Sequence, residues 1–394
     1  MEIGIPFPDQ VVNKLKTATL AELDASLRNL VASAHLVAQK RNERLPAIHI
    51  TQKVLVMIFT EVIELKGNAG LRVVSQVCQQ WRNVALQEPM LWKRVLGFSG
   101  KPRWTSELLR RTRNAPLDIS VSLVDILADS RRLVISNVMN VADHFWRFRT
   151  FDLSAPYQHI CDFFGLVSFD RNEAPHLRVL SLHSQNCDNL PKCNDALPVK
   201  LLALAKPRLE YLVLQGCYFH WDVMNSGLAH SYGLSTLHIN YPEKSDPALK
   251  PSTFSLLTAL VSLTSLKELK LRNAIKPDPI AQWDHSTVIL PQLQTLHLQS
   301  NMQLCANLLG GIQAPMIVSL DVDCDTTTSF IEISAFMAAV RKAAPNGPYA
   351  SLTAASRRDT IDRAEWYPKQ RFLPNKYQWD TSARQLPPLT SDLC

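Results

Sequence analysis

Glycine is scarce in this sequence: 12 residues in a chain of 394, about 3% where ~7% is usual. The glycine-dependent phosphate cradles are missing with it, since neither G-x-G-x-x-G nor G-x-x-x-x-G-K-[ST] occurs. That argues against the common nucleotide-binding enzymes. Long apolar runs are missing too. In the first hundred residues the longest, Val54 to Phe59, has six residues, against the ~20 that a membrane-spanning helix needs. The opening Met1-Glu2-Ile3-Gly4-Ile5-Pro6 has neither the basic region nor the apolar core of a secretory signal. The 8 cysteines form no C-x-x-C and no Cys/His group at zinc-ligand spacing. Reduced thiols in the cytoplasm, the nucleus or both are expected. No H-E-x-x-H or G-x-S-x-G occurs either, so the expectation is no cofactor, no metal and no enzymatic activity.

What is present describes a soluble globular chain of two or three domains, 46% hydrophobic and 20% charged. The net charge of +7 raises the question of nucleic acid and has to be located. Seven Lys or Arg stand between Lys93 and Arg113 against the single Glu107, and the chain beyond Val340 holds nine basic and five acidic side chains. These two segments carry more than the whole excess. A phosphate backbone calls for a basic stripe on one folded face, so neither nucleic acid nor membrane is an expected partner.

Thr19-Leu20-Ala21-Glu22 reads as a capping box. Leu20, Leu23, Leu27, Leu30, Ala34 and Val37 then alternate steps of three and four, one apolar stripe on a helix that ends by Asn42. Packing of this stripe on the neighbouring domain is expected, with self-association second. From Leu45 to about Val95 the pattern predicts a small helical unit. Val54, Leu55, Ile58, Phe59 and Val62 mark one helix and Gly67 and Gly70 a stop. A second helix carries Val77, Cys78 and Trp81, and Pro89 then breaks the chain before Leu91 and Trp92. A unit this small buries little alone, so large apolar side chains await a partner.

From about Phe148 a six-residue pattern recurs, apolar at positions one, four and six: Phe148-Phe151-Leu153, Leu177-Leu180-Leu182, Leu209-Leu212-Leu214 and Leu234-Leu237-Ile239. It continues as Leu266-Leu269-Leu271, Leu293-Leu296-Leu298 and Ile317-Leu320-Val322. The pattern L-x-x-L-x-L, returning at a mean interval of about 28 residues, is the signature of leucine-rich repeats, each a short parallel strand with a return segment. A doubly wound sheet would instead show runs of β-branched strands. Alternate side chains face opposite ways along a strand, so Tyr211, His238, Lys270, Arg272, His297 and Asp321 are placed on the concave solvent face as candidate substrate-binding residues. An acidic or phosphorylated partner near Lys270 and Arg272 is one expectation there.

The helical unit resembles an F-box. Ile50-Thr51-Gln52-Lys53-Val54-Leu55-Val56-Met57-Ile58-Phe59, then Val74-Ser75-Gln76-Val77-Cys78-Gln79-Gln80-Trp81-Arg82, then Pro89-Met90-Leu91-Trp92 is similar in order and gaps to L-P-x-E-[VIL]-L-x-x-I-F, V-C-x-x-W and P-x-L-W. Thr51 and Lys53 stand where the family has Pro and Glu. With a helix before the module and repeats after it, the layout is similar to fungal F-box proteins. The resemblance implies docking to a Skp-type adaptor of an SCF-type cullin–RING ubiquitin ligase through Val54, Leu55, Ile58, Phe59, Val62, Val77, Cys78, Trp81, Pro89, Leu91 and Trp92. The repeats would then hold a protein substrate of unknown identity for ubiquitin-dependent degradation. A leucine-rich-repeat scaffold outside any ligase is the alternative. The expected fold is α/β: an N-terminal helix (1–44), an F-box (45–95), a basic connector (96–145), an irregular solenoid with a parallel sheet (146–340) and a disordered tail (341–394).

Overall fold

The computed structural model describes residues 13, 16–45, 49–94, 102–123, 128–167, 174–185, 197, 201, 208–242, 245–277, 287–325 and 330–345. The tail expected over 341–394 lies outside them beyond residue 345.

Helix α1, Leu20–Asn42, starts on the expected capping box: Glu22 Oε2 accepts from Thr19 N and from Thr19 Oγ1, both at 2.8 Å. Glu22 in its first turn and Lys40 and Arg41 in its last complement the helix dipole. The packing expected of its stripe is not found, because none of its residues is buried and Leu27 and Leu30 are 61% and 62% exposed. Periodicity sets which residues share a face, and whether that face is covered depends on neighbours that periodicity does not encode.

Helix α2 (Gln52–Val74), helix α3 (Gln79–Gln87) and a 3₁₀ turn (Pro89–Trp92) form the helical module. Leu55, Phe59 and Ile63 recur at steps of four and are buried, with Val84, Ala85, Leu91 and Trp92 closing the same core. Two glycines act in α2 for different reasons. Gly67 bends the helix at φ 58, a conformation that side chains resist. Gly70 lies so close to the preceding turn that a Cβ there would sit 2.7 Å from Val62 O. Trp92 Nε1 donates to Ala85 O at 2.7 Å, which satisfies the one polar group of a buried indole.

The described residues of segment 96–145, 102–123 and 128–145, form helices and a strand where a connector was expected. Helix α4, Pro102–Thr112, places the Arg111 guanidinium 4.3 Å from the Trp92 ring centroid. Strand β1, Leu117–Ser122, then begins the sheet, well ahead of the first repeat expected at Phe148. It lacks the hexad spacing because a register shift between Leu117 and Asp118 sets Leu117 opposite Phe148 and Ile119 opposite Phe151. Its apolar spacing is therefore two and two. Helix α5, Ala128–Asn140, follows.

The sheet has eight strands in the order β1-β2-β3-β4-β5-β6-β8-β10, every neighbouring pair parallel. The strands are β2 (Phe148–Pro156), β3 (Val179–Gln185), β4 (Tyr211–Gln215), β5 (Thr236–Asn240), β6 (Glu268–Arg272), β8 (Thr295–Asn301) and β10 (Ser319–Asp325). Short strands β7 (Val288–Ile289) and β9 (Ile312–Gln313) pair separately. The hexad leucines fall in register, so Phe151, Leu180, Leu212, Leu237, Leu269, Leu296 and Leu320 form one row. One repeat could not bury this row, whereas stacked repeats make it continuous. Helices α6 (Tyr157–Leu166), α7 (Trp221–Leu228), α8 (Thr253–Leu260), α9 (Met302–Gly311) and α10 (Phe330–Ala343) occupy the return segments.

Phe145, Phe148, Phe151, Phe163 and Phe164 pack ring on ring around β2. At the other end α10 packs on α9, and Ala314 N, just after Gln313, donates to Ala343 O at 2.7 Å. The apolar stretch expected to cover the last repeat thus covers its helix layer. Leu320 and Val322 of β10 remain half-buried, with exposed Asp321 and Asp323 beside them, the charged edge that discourages further strand pairing.

Arg147 ties the module side to the sheet. This 2% exposed residue donates from Nη2 to Thr112 Oγ1 at 2.6 Å and to Ala115 O at 2.9 Å, and from Nε to Ala115 O at 3.1 Å. Arg147→Ala leaves those acceptors unpaired and is expected to lower the unfolding free energy by about 3 kcal/mol. A urea titration followed by tryptophan fluorescence checks this.

Candidate functional site

Two surfaces emerge from this architecture. The first belongs to the helical module and divides the eleven residues expected to bind an adaptor. Leu55, Phe59, Leu91 and Trp92 are buried, so they build the module and are closed to a partner. Val62, Cys78, Trp81 and Pro89 are half-buried, with the Trp81 ring centroid 5.2 Å from that of Phe59. Only Val54, Ile58 and Val77 are exposed. The structure adds Met57, Leu65, Val73 and Met90, exposed apolar side chains outside the eleven. Val54, Met57, Ile58 and Leu65 fall on one side of α2, opposite the buried Leu55, Phe59 and Ile63. Their signal was legible as apolar residues between the core positions.

The departures at Thr51 and Lys53 sit at the start of this helix. Thr51 is the N-cap of α2 with φ −64 and makes no side-chain cap bond. A proline ring fixes the same φ, so the backbone begins this helix as a proline would begin it. Lys53 is exposed in the first turn, which holds no acidic residue. A cation there opposes the helix dipole by a few tenths of a kcal/mol.

The second surface is the open face of the sheet. Val213, His238, Lys270, His297 and Asp321 form one row across five adjacent strands. Tyr211 lies in the row on one side and Arg272 in the row on the other. The six expected substrate-binding residues therefore share a face, and Tyr211, at 44%, is its exposed aromatic. Their charges, however, are mostly compensated within the face. Glu268 Oε1 lies 2.6 Å from Lys270 Nζ and 3.2 Å from His238 Nε2. His297 Nδ1 lies 2.7 Å from Asp321 Oδ2. An anion expected near Lys270 would have to displace Glu268, a residue two positions away on the same face of the same strand. Further along, His183 Nε2 is 2.7 Å from Ser181 Oγ and 3.9 Å from Asp152 Oδ1, while its Nδ1 is held by Gln215 Oε1 at 2.9 Å. Serine and aspartate both lie at Nε2, so this group lacks the arrangement of a hydrolytic triad, in which the acid orients the opposite ring nitrogen.

No protein-family model matches the chain, and no curated protein matches it. Among solved structures, the leucine-rich repeat-containing protein LegL7 from Legionella pneumophila is 13% identical with a TM-score of 0.30, over 66% of this chain and 82% of that one. Eight parallel strands in unbroken neighbour pairing, seven of them aligning their hexad positions in one row, define an α/β solenoid built of leucine-rich repeats. Among the described residues no helix is long and apolar enough to cross a membrane.

His238 and then Lys270 hold the Glu268 carboxyl down from 4.5 to about 2, against the opposing pull of burial. A depressed carboxylate contributes stability above its unfolded pKa and loses it as pH falls through the folded value. Glu268→Gln should therefore lower Tm by a constant amount above pH 4.5, with the gap closing between 4.5 and about 2. Paired thermal melts of parent and variant across that range check the sign.

Proposed function

We propose that this chain is the substrate-recognition subunit of an SCF-type ubiquitin ligase, without catalytic residues of its own, acting in the cytoplasm or nucleus. The observation that carries the reading is the exposed apolar stripe Val54, Met57, Ile58 and Leu65 on a module joined firmly to a repeat array. Exposed apolar patches of this kind mark protein interaction sites, and three of the four stripe residues, Val54, Met57 and Ile58, lie in the F-box-like sequence. In this reading Val54, Ile58 and Val77 touch the Skp-type adaptor. Leu55, Phe59, Leu91 and Trp92 hold the surface in shape. The sheet's open face contributes to holding a protein substrate. The work done is proximity: a bound substrate presents its lysines at high effective concentration to a ubiquitin-charged enzyme held by the same assembly.

A scaffold outside any ligase is the second reading, favoured by exposed Lys53, which puts a cation beside Val54 where the family pattern has an acid.

The two readings part on adaptor binding. Val54→Glu/Ile58→Glu changes exposed positions and should leave the thermal melt in place. Each apolar side chain contributes roughly 1.5–3 kcal/mol when buried, so affinity for the adaptor should fall about 100-fold or more. Size-exclusion co-elution of the full chain with the adaptor is the measurement, and no complex from folded parental protein selects the scaffold. Phe59→Ala/Trp92→Ala cannot serve, because both residues are buried and each loss would cost about 3–5 kcal/mol of module stability.

A further inference from the structure

The residues just ahead of the strands form another surface, along the rim of the sheet. Arg178, Glu210, Ser235 and Lys267 occupy the same place in four consecutive repeats, each directly after the first leucine of its hexad. Their backbone is fixed by a repeated device. Arg178 O accepts from Glu210 N and Tyr211 N at 2.8 and 3.0 Å, and Glu210 O from Ser235 N and Thr236 N at 2.8 and 3.1 Å. Ser235 O accepts from Lys267 N and Glu268 N at 2.8 and 3.0 Å. The rim side chains are thus spaced by the strands themselves. Beside them a trough of about 770 Å³ opens, also lined by Arg208, Gly233 and Ser265.

Its charge is uneven. Arg178, Arg208 and Lys267 are all exposed. Glu210 Oε1 lies 3.2 Å from Arg178 Nη1 and offsets that charge, and Arg208 Nη1 reaches only the Pro175 carbonyl at 3.3 Å. Among the described residues, Arg208 and Lys267 thus keep uncompensated charge at two places. Between them the lining is small and neutral: Gly233, Ser235 and Ser265.

We propose that this trough binds an extended peptide segment of a protein partner that carries two acidic side chains three residues apart. Arg208 stands just before the first leucine of its hexad and Lys267 just after that of its own, two strand spacings across and two residues along, ~12 Å in all, which an extended chain covers in about three to four residues. The cations stand apart instead of converging, which suits two single carboxylates better than one phosphate, whose strong sites gather several donors on one group. Gly233 and the serines leave room for the peptide backbone and offer it hydroxyl partners. The proposal rests on the repeats being the substrate-holding half of the function above, and it moves the charged contact from Lys270 on the open face to the rim.

The test is selection from a pool of short peptides with two aspartates three residues apart and every other position randomised, on immobilised full-length protein. Pools with adjacent aspartates, with lysines in their place, and with one phosphoserine are run beside it. The expected result is enrichment from the first pool alone. Affinity measured by fluorescence anisotropy should weaken with added salt and fall about tenfold in each of Arg208→Glu and Lys267→Glu, with Arg341→Glu, an exposed change on α10, unchanged. Enrichment only from the phosphoserine pool, a loss in Arg272→Glu in place of the rim variants, or no enrichment from any pool would overturn the proposal. Adaptor co-elution of the same protein batch separates the failures: an intact adaptor complex with no peptide enrichment removes the trough and leaves the ligase reading standing.

Discussion

Lys93 O accepts a hydrogen bond from Asp118 N at 2.9 Å, and Arg94 bridges to the same residue, so the end of the helical module lies along the first strand of the sheet. The Asp118 carboxylate in turn takes Arg149 Nε at 2.8 Å and ion-pairs with its Nη2. One residue therefore joins the backbone of the module to the side chains of the array. Around it Arg111 covers Trp92 and Glu107 lies 2.6 Å from Arg111 Nε, while Arg147 reaches back to Thr112 and Ala115. Three cations of the basic run between Lys93 and Arg113 are paired in this region, Arg94 with Glu64 and both Arg110 and Arg111 with Glu107.

A firm joint bears on the proposed function, which works by proximity. Effective concentration depends on how narrowly the tether limits the bound partner's positions. A flexible connector between the module and the repeats would spread a substrate over many orientations. Strand pairing and buried guanidinium bonds remove most of that freedom. The sheet also begins at β1, so the open face extends towards the module and a partner on the early strands would lie near it. On that face Lys270 and His238 share Glu268 and His297 meets Asp321, while among the described residues Arg272 has no acidic partner. Cations on the rim are left with less internal neutralisation than those on the face.

Much of this was legible in the sequence, because the leucine spacing is imposed by a core that no single repeat can bury. The seven hexads fall in strand register, the capping box at Thr19 holds α1, and the open-face rows are the ones that alternation placed there. Three things were hidden for identifiable reasons. The bulge at Leu117 displaces the first apolar position of β1 and breaks the pattern that finds strands. Helical periodicity put Leu55 and Ile58 on one broad stripe, although the module core buries the first and leaves the second exposed. Pairing of Glu268 with His238 depends on β5 and β6 lying side by side in register, a relation between distant parts of the sequence that becomes visible only once the strands are aligned. The rim trough is of that last kind, made of equivalent residues of different repeats.

The most direct test of the central claim is hydrogen exchange of the full chain with and without the Skp-type adaptor, read peptide by peptide. New protection confined to 52–65 and 73–90, with the strands β1 to β10 unchanged, is the expected result. Protection spread over the open face of the sheet, or none at saturating adaptor, would contradict it, because the exposed stripe of α2 would then not be the surface that joins this chain to a ligase.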